Sequence, residues 1–281
     1  LNPSTYYAGL GAGVLDYYEL NYPRTRFVLS GRVTASKDLS LHSKGYISLS
    51  PTYSRIDTLI AGTSHTIIKL QEAYTSFGWS TDYRDNNFDT KKGWFFWNEL
   101  LTNGVYSNDT YTYGQYNTEI RVYAPGLPRS AVIACRLQGT LRTNDAGPYR
   151  RLYAGGEGSV RGFPRDWLGM TGQMNNRIVL STEYRFRIWT TPQMDFLSLS
   201  RLLPETKGLF YHFDGALIAD DGVLWPRIGH PFKNENGGGI GAGIKIFAPT
   251  LRRSGCIEVV YPIVNHTLYA PEVLLYLDAY F

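Results

Sequence analysis

The strongest constraint on the fold of this chain is an alternation of apolar and polar residues with a period of two. Between residues 176 and 188 the apolar positions are Ile178, Leu180, Tyr184, Phe186 and Ile188. The positions between them are mostly polar, and include Arg177, Ser181, Glu183, Arg185 and Arg187. Successive side chains of a β-strand point to opposite faces, so this spacing predicts strands with one apolar and one polar face. Because the alternation recurs at 116–122, 131–142 and 209–220, the sequence predicts an all-β fold.

The residue types on the two faces favour a membrane barrel over a soluble sandwich. The polar face mixes Arg and Glu within single strands, whereas the water-facing side of a sandwich is usually rich in Thr, Ser and Lys. The apolar face carries Tyr, Phe, Trp and Ile, with aromatic residues near strand ends, as in an interfacial girdle. The chain has no run of about 18 apolar residues for a spanning helix. Its mean hydropathy of −0.25 is compatible with a barrel, since only every second residue of a membrane strand meets lipid.

About twelve strands are predicted, in one transmembrane antiparallel up-and-down β-barrel domain over residues 1–281. They lie near 5–17, 24–35, 44–60, 65–84, 93–106, 113–124, 130–142, 174–190, 206–220, 237–248, 255–264 and 272–281. The connections Ala124–Ser130 and Pro249–Ser254 are short, whereas Thr143–Gly172 is long. Short turns on one side and long loops on the other are typical of outer-membrane barrels.

Composition and spacing exclude several classes of site. The formal charge of +4 comes with no long basic run, which argues against a nucleic-acid partner. Cys135 and Cys256 lie far apart without a Cys or His at ligand spacing, so neither a metal site nor a cofactor is expected. These two cysteines either bridge or stay free. The chain begins at Leu1 with no charged and apolar leader, as expected for a mature or trimmed product.

The long connection contains a glycine-rich run that stands out from the rest of the chain. It reads Gly155-Gly156-Glu157-Gly158-Ser159-Val160-Arg161-Gly162-Phe163. Glycines permit a tight reversal and close packing against a wall. The run does not fit a phosphate-binding loop, because it lacks the Lys-Ser/Thr ending and the strand-to-helix context. A connection of this length in a compact barrel indicates a functional element.

This run resembles the signature of the BamA-like superfamily of outer-membrane assembly and translocation barrels, which includes two-partner secretion transporters. Its setting is similar to the family too: Asp82–Phe88 and Lys92-Gly93-Trp94 precede it, and Leu180–Phe186 with Glu183 follows. Further matching segments are Asp220–Trp225, the glycine-rich Gly237–Phe247 with its Ala248-Pro249 turn, and Glu258–Pro262. The resemblance extends from Ser64 to Phe281, and five strands follow the loop, as in the family.

The resemblance implies that the long loop folds into the lumen, with the motif residues Gly155, Gly156, Val160, Arg161, Gly162 and Phe163. Alternation places Glu183 and Asp220 on the lumenal face, where the Arg161 guanidinium is expected to bridge both carboxylates. The alternative is a solvated Arg161. The end of the chain, with Leu277, Ala279 and Phe281 on one face, resembles the carboxy-terminal sorting signal of bacterial outer-membrane proteins.

The resemblance also implies a location in the outer membrane of a Gram-negative bacterium or related organelle, and no catalysed chemistry. The expected partners are the lipid bilayer, unfolded or partly folded polypeptide clients, and further outer-membrane or periplasmic subunits. A seam between Tyr6–Leu15 and Val273–Phe281 would offer edges to a client strand.

The chain departs from the family in strand number and in its front part. Family barrels have sixteen strands and carry periplasmic receptor domains, whereas about seven strands are expected before the loop here and no receptor domain is expected within residues 1–281. The front of the barrel is therefore absent, supplied by another chain, or dispensed with. The second functional hypothesis is a reduced structural or channel barrel that anchors a complex.

An enzyme is the third functional hypothesis, with His212, Asp214 and Glu183 as a hydrolytic set, but no nucleophile elbow accompanies them. The remaining histidines are interpreted as loop or strand-end residues: His65, His230 and His266.

Overall fold

A computed structural model describes residues 5–19, 22–60, 63–87, 89–128, 130–147, 150–156, 158–164, 167–169, 174–191, 211–227, 235–248, 253–265 and 267–277. Within these ranges the backbone forms one antiparallel sheet in which strands adjacent in sequence are adjacent in space. The strands are β1 Thr5–Glu19, β2 Tyr22–Asp38, β3 Ser43–Ile60, β4 Thr63–Asp82, β5 Gly93–Ser107, β6 Gly114–Pro125, β7 Val132–Arg142, β8 Asn176–Thr190, β9 His212–Trp225, β10 Glu235–Ala248, β11 Arg253–Val264, β12 Thr267–Leu268 and β13 Glu272–Leu277. No helix in these ranges combines the length and apolarity needed to cross a membrane.

The predicted all-β up-and-down barrel fold is confirmed, and its count of about twelve strands agrees with the sheet. Both β12 and β13 pair with β11, as in Ile263↔Leu268 and Val260↔Glu272. They are two segments of one last strand, interrupted at residues 269–271. Pro271 lies in the interruption, and proline has no N–H to contribute to a ladder. Seven strands precede the long connection and five strand positions follow it, as the sequence indicated.

The two faces of the sheet separate as the alternation predicted. On β8, Ile178 and Leu180 are 42% and 46% exposed on the outer face, whereas Glu183 and Arg185 are 0% and 3% exposed on the lumenal face. Because consecutive strands repeat this division, the charged residues line the lumen and the large apolar residues form the outer surface.

Aromatic pairs lie at one end of the barrel, as expected of an interfacial girdle. The rings of Tyr83 and Trp94 are 5.0 Å apart, and those of Trp189 and Phe213 are 5.5 Å apart. Both pairs lie where strands meet the connections β4–β5 and β8–β9. We call this end the girdle end, and the end that carries the connection β7–β8 (residues 143–175) the long-loop end.

The ninth strand, predicted over 206–220, runs from His212 to Trp225 and so ends five residues later than predicted, while residues 206–210 lie outside the described part of the chain. Its start is fixed by pairing with β8, where Thr190 opposes His212. The strand continues through Asp220-Asp221-Gly222, where Asp220 is bound by Arg161 and Gly222 pairs with Gly237 of β10. The connection β8–β9 therefore covers 191–211, which makes it long although it lies at the girdle end.

The first and last strands of the sheet are edges. Within the described ranges, β1 pairs with β2 along Thr5–Glu19, and no pairing joins it to β12 or β13. The last strand pairs with β11 alone in the same ranges. These edges coincide with the seam that the sequence placed at Tyr6–Leu15 and Val273–Phe281, of which 278–281 lie outside the described residues.

Candidate functional site in the barrel lumen

The glycine-rich run forms a tight reversal at the tip of the long loop. Ala154 and Leu168 exchange two backbone hydrogen bonds of 2.9 and 2.8 Å, and the N–H of Gly156 donates to the carbonyl of Phe163 at 2.9 Å. Gly155 and Gly156 have φ angles of 135° and 82°, a region that residues with a Cβ rarely adopt. The reversal directs the side chains of Val160 and Arg161 toward the barrel wall.

An apolar cluster holds this tip inside the lumen. Val160 and Phe163 of the loop are 0% and 2% exposed, and they pack in one cluster with Val179 of β8 and Leu224 of β9. Burial of an aliphatic or aromatic side chain of this size contributes about 1.5–3 kcal/mol. The tip is therefore packed as a core against the wall.

Arg161 makes the central polar contact between the loop and the wall. Its Nε donates to Oδ2 of Asp220 at 2.7 Å and its Nη2 to Oδ1 at 2.7 Å, so that the guanidinium and the carboxylate form a two-pronged pair. Its backbone N–H also donates to Oδ2 of Asp220, at 3.0 Å. Paired geometry of this kind is specific to arginine, because a lysine ammonium cannot reproduce the planar fork.

The remaining donor of Arg161 contacts two further carboxylates. Nη1 donates to Oε1 of Glu183 at 2.5 Å and lies 3.3 Å from Oε1 of Glu258 on β11. The other oxygen of Glu183 accepts a hydrogen bond from Nζ of Lys245 on β10 at 2.5 Å. Thus one loop arginine is linked to strands β8, β9, β10 and β11, the last of which pairs with the edge strand.

The charges of this cluster balance, which explains how it tolerates burial. Three carboxylates (Glu183, Asp220 and Glu258) face three cations, namely Arg161, Lys245 and, at 3.8 Å from Glu183, Arg185. Burial opposes the charge of Arg161, but its hydrogen bond to Asp220 and the nearby carboxylates hold its pKa well above the ordinary value. Loss of one partner from such a cluster leaves a buried charge uncompensated, which is costly.

Glycines in the wall make room for the loop. A Cβ on Gly239 of β10 would lie 2.1 Å from the carbonyl oxygen of Arg161, and one on Gly222 of β9 would lie 2.5 Å from Cγ2 of Val160. Real side chains do not tolerate such distances. The glycine-rich sequence of β10 therefore forms part of the surface against which the loop packs.

The structure brings together Arg161, Glu183 and Asp220, the three residues that the sequence predicted to meet on the lumenal face. Sequence reasoning did not assign Glu258 and Lys245 to it. Their signal was available, since each is a charged residue between two apolar neighbours on an alternating strand: Glu258 lies between Ile257 and Val259, and Lys245 lies between Ile244 and Ile246.

The other residues named from the sequence lie elsewhere. Leu277 ends β13, while Ala279, Phe281, His230 and His266 lie outside the described residues. His65 is the third residue of β4. His212 and Asp214 both contact Arg187, whereas Glu183 belongs to the Arg161 cluster.

Neither a disulfide nor a metal centre is found in the described part of the chain. Cys135 and Cys256 are free thiols. No group of three His, Cys, Asp or Glu side chains in the described ranges is arranged to hold a metal ion. The lumenal carboxylates are bound by arginine and lysine side chains.

Comparison with known proteins gives a family match and a structural match. The model of the Omp85 superfamily domain matches residues 18–201, well over half of the chain. The crystal structure of BamA from Haemophilus ducreyi lacking POTRA domains 1-3 superposes with a TM-score of 0.66 at 15% sequence identity, which shows a shared fold. The match covers 98% of this chain and 58% of that one, so the chain spans less than two thirds of the matched structure. No curated protein matches the chain.

Proposed function

The chain belongs to the Omp85 superfamily, and we propose that it acts in the outer membrane, assembling unfolded or partly folded polypeptides into the bilayer or passing them across it. The observation that carries this proposal is the position of the long loop. Arg161 holds it against the part of the wall that ends at the edge formed by the last strand. The cluster connects the loop to β11, and β11 is the strand that carries β12 and β13.

Two features of the edge suit a polypeptide client. A strand edge presents unpaired N–H and C=O groups, which an extended segment can pair with by adding one strand to the sheet. The last strand is also packed against the lumenal side of the wall, because Leu274 contacts a buried cluster of Ala216, Ile218 and Val260. A rigid edge is a better template than a flexible one, since less ordering is required when a client strand binds.

A second candidate function is a reduced structural or channel barrel without assembly activity. The observation that favours it is the packed loop tip, whose apolar cluster and ion pairs occupy lumenal space beside β8 and β9. Such a barrel would anchor a complex and would pass little current.

Reconstitution of the purified chain into liposomes tests the proposal. An outer-membrane barrel unfolded in urea is added as the client, and its folding is followed by protease protection and by its heat-modifiable migration. We expect faster client folding than in empty liposomes and loss of the acceleration on Arg161→Ala. Arg121→Gln is the matched control, because Arg121 is a lumenal arginine whose carboxylate partner, Glu119, lies on the same strand. Equal rates with and without the chain would favour the structural candidate.

A further inference from the structure

A second arginine of the long loop contacts the opposite wall of the barrel. Nη2 of Arg150 lies 2.7 Å from Oε1 of Glu72 on β4, and its Nη1 donates to Oδ2 of Asp109, in the β5–β6 connection, at 2.6 Å. The side chains of Arg150, Glu72 and Asp109 are 5%, 1% and 8% exposed. Ion pairs this buried are screened by solvent far less than surface pairs.

Both sides of this contact are held in place by further hydrogen bonds. Glu72 accepts hydrogen bonds from the Tyr74 hydroxyl at 2.7 Å and from Nδ2 of Asn103 at 2.9 Å. On the loop side, Nη1 of Arg150 donates to the carbonyl of Ala146 at 3.0 Å, and the carbonyl of Arg150 accepts a hydrogen bond from Arg142 of β7. The contact is therefore built on two prearranged surfaces, which lowers the entropy lost in forming it.

The loop consequently links two walls that, in the described part of the sheet, are connected through β5, β6 and β7 alone. Arg150 binds the front wall at β4, and Arg161 binds the back wall at β8, β9 and β11. The two arginines are eleven positions apart in the sequence. A sheet with two free edges has no ladder to fix its curvature, so a link across its concave side determines how far apart the edges lie.

A similar but weaker link crosses the girdle end. The β4–β5 connection reaches the back wall there, where Lys91 lies 3.9 Å from Asp214 of β9 and Asp89 lies 3.8 Å from Arg187 of β8. These distances are longer than those of Arg150, and the cations are more exposed, at 38% for Lys91 and 24% for Arg187. Solvent screening makes such pairs worth little individually.

We propose that Arg150 is a positioning residue that, together with Arg161, makes the long loop a cross-brace setting the distance between the edge strands β1 and β13. The link of Asp89 and Lys91 at the girdle end is a minor second brace. This inference rests on the proposed function only in assigning the edges to a polypeptide client. Release of Arg150 lets the front wall move away from the back wall while the Arg161 cluster stays intact.

Distance measurement by paired spin labels in nanodiscs tests the brace directly. Labels are placed at Val33→Cys on β2 and Leu275→Cys on β13, two outward positions that are 57% and 78% exposed near the two edges. The native thiols are removed as Cys135→Ser and Cys256→Ser. We expect a narrow distance distribution in the parent and, in Arg150→Ala, a shift to longer distances by one strand spacing, ~4.8 Å.

Two milder variants keep the test decisive if Arg150→Ala folds poorly. Arg150→Lys retains the charge but cannot engage Glu72 and Asp109 together, and it should give an intermediate distribution. Asp109→Asn changes a connection rather than a strand, and should broaden the distribution without a loss of folded protein. Lys91→Ala should broaden it less than either.

The matched control is Arg121→Gln, which removes a lumenal charge whose contacts in the described part of the chain lie on β6 and its neighbour β5. It should leave the distribution of the parent unchanged. A distribution that stays narrow in Arg150→Ala and Asp109→Asn overturns the brace, and so does equal broadening in the control. Because the labels report distance alone, a wider gap with unchanged client folding supports the brace while counting against the proposed function.

Discussion

Glu183 and Lys245 meet inside the lumen at 2.5 Å, although they belong to β8 and β10 and β9 lies between these strands. The other oxygen of the Glu183 carboxylate accepts the hydrogen bond of Arg161, also at 2.5 Å. This fully buried carboxylate therefore links β8 both to β10 and to the long loop. Glu183 accepts hydrogen bonds from two cations of the cluster, Arg161 and Lys245, whereas Asp220 accepts them only from Arg161 within the described residues.

Replacement of this carboxylate is expected to destabilise the barrel. Glu183→Gln leaves Arg161 and Lys245 buried with one shared counter-charge removed, and breaking a buried pair in this way costs about 3–5 kcal/mol. The free energy of unfolding is measured by urea titration in lipid vesicles, followed by tryptophan fluorescence.

The control for this variant is Asp221→Asn, which removes a carboxylate beside Asp220 on the exposed face of β9. Asp221 faces outward near the end of β9, where a charge at the membrane interface costs about 0–1 kcal/mol, so we expect a change of at most about 1 kcal/mol there. A loss of less than about 1 kcal/mol in Glu183→Gln, the range of surface ion pairs, would contradict the assignment of Glu183 as the link between wall and loop.

Arg161→Lys separates the effect of charge from that of geometry. Lysine keeps the cation but cannot form the two-pronged pair with Asp220, so at least one charged hydrogen bond is lost, worth about 1.5–3 kcal/mol. The fraction of the compact band on a cold SDS gel should fall between those of the parent and Arg161→Ala. A lysine variant as compact as the parent would show that charge alone seats the loop.

Gly239→Ala should displace the loop without removing any charged group. Its Cβ would lie 2.1 Å from the carbonyl oxygen of Arg161. Limited proteolysis of the loop, with mass spectrometry of the fragments, should therefore show faster cleavage within 143–175. Gly158→Ala is the matched control, since a Cβ at that position meets nothing within 4 Å. Equal protection of both variants would mean that the loop does not depend on close approach to β10.

The sequence allowed most of the fold to be predicted, because membrane strands obey a strict period. Alternation located β8 to within two residues of its observed start and placed Glu183 on the lumenal face. It missed the end of β9, where Asp220-Asp221-Gly222 has the composition of a turn. The local preference lost to tertiary contacts there, since Arg161 neutralises Asp220 and Val160 fills the space above Gly222.

The site was predictable only where a single motif pointed to it. Arg161 was found through its glycine-rich neighbours, and its two carboxylates through the strand pattern. Glu258 and the opposite anchor at Glu72 were not found, because a periodic pattern assigns residues to a face but does not say which residues meet across the lumen. The link between Arg150 and Glu72 spans 78 positions in the sequence and depends on how the loop crosses the barrel.

Leu217→Arg tests whether the outer face meets lipid. Leu217 lies near the middle of β9 and is 54% exposed, whereas the neighbouring Ala216 is 1% exposed on the lumenal face. In water, arginine at an exposed strand position would change stability little. In a bilayer, arginine near the midplane of the lipid face of a barrel costs about 2–4 kcal/mol, and near the interface about 0–1 kcal/mol. We therefore expect Leu217→Arg to lower the free energy of unfolding in vesicles by roughly 2–4 kcal/mol.

The control is Leu127→Arg, in the β6–β7 connection, where Leu127 is 85% exposed. Its free energy of unfolding should fall by at most about 1 kcal/mol. Equal and small losses in both variants would place Leu217 in water and contradict a membrane-facing outer surface.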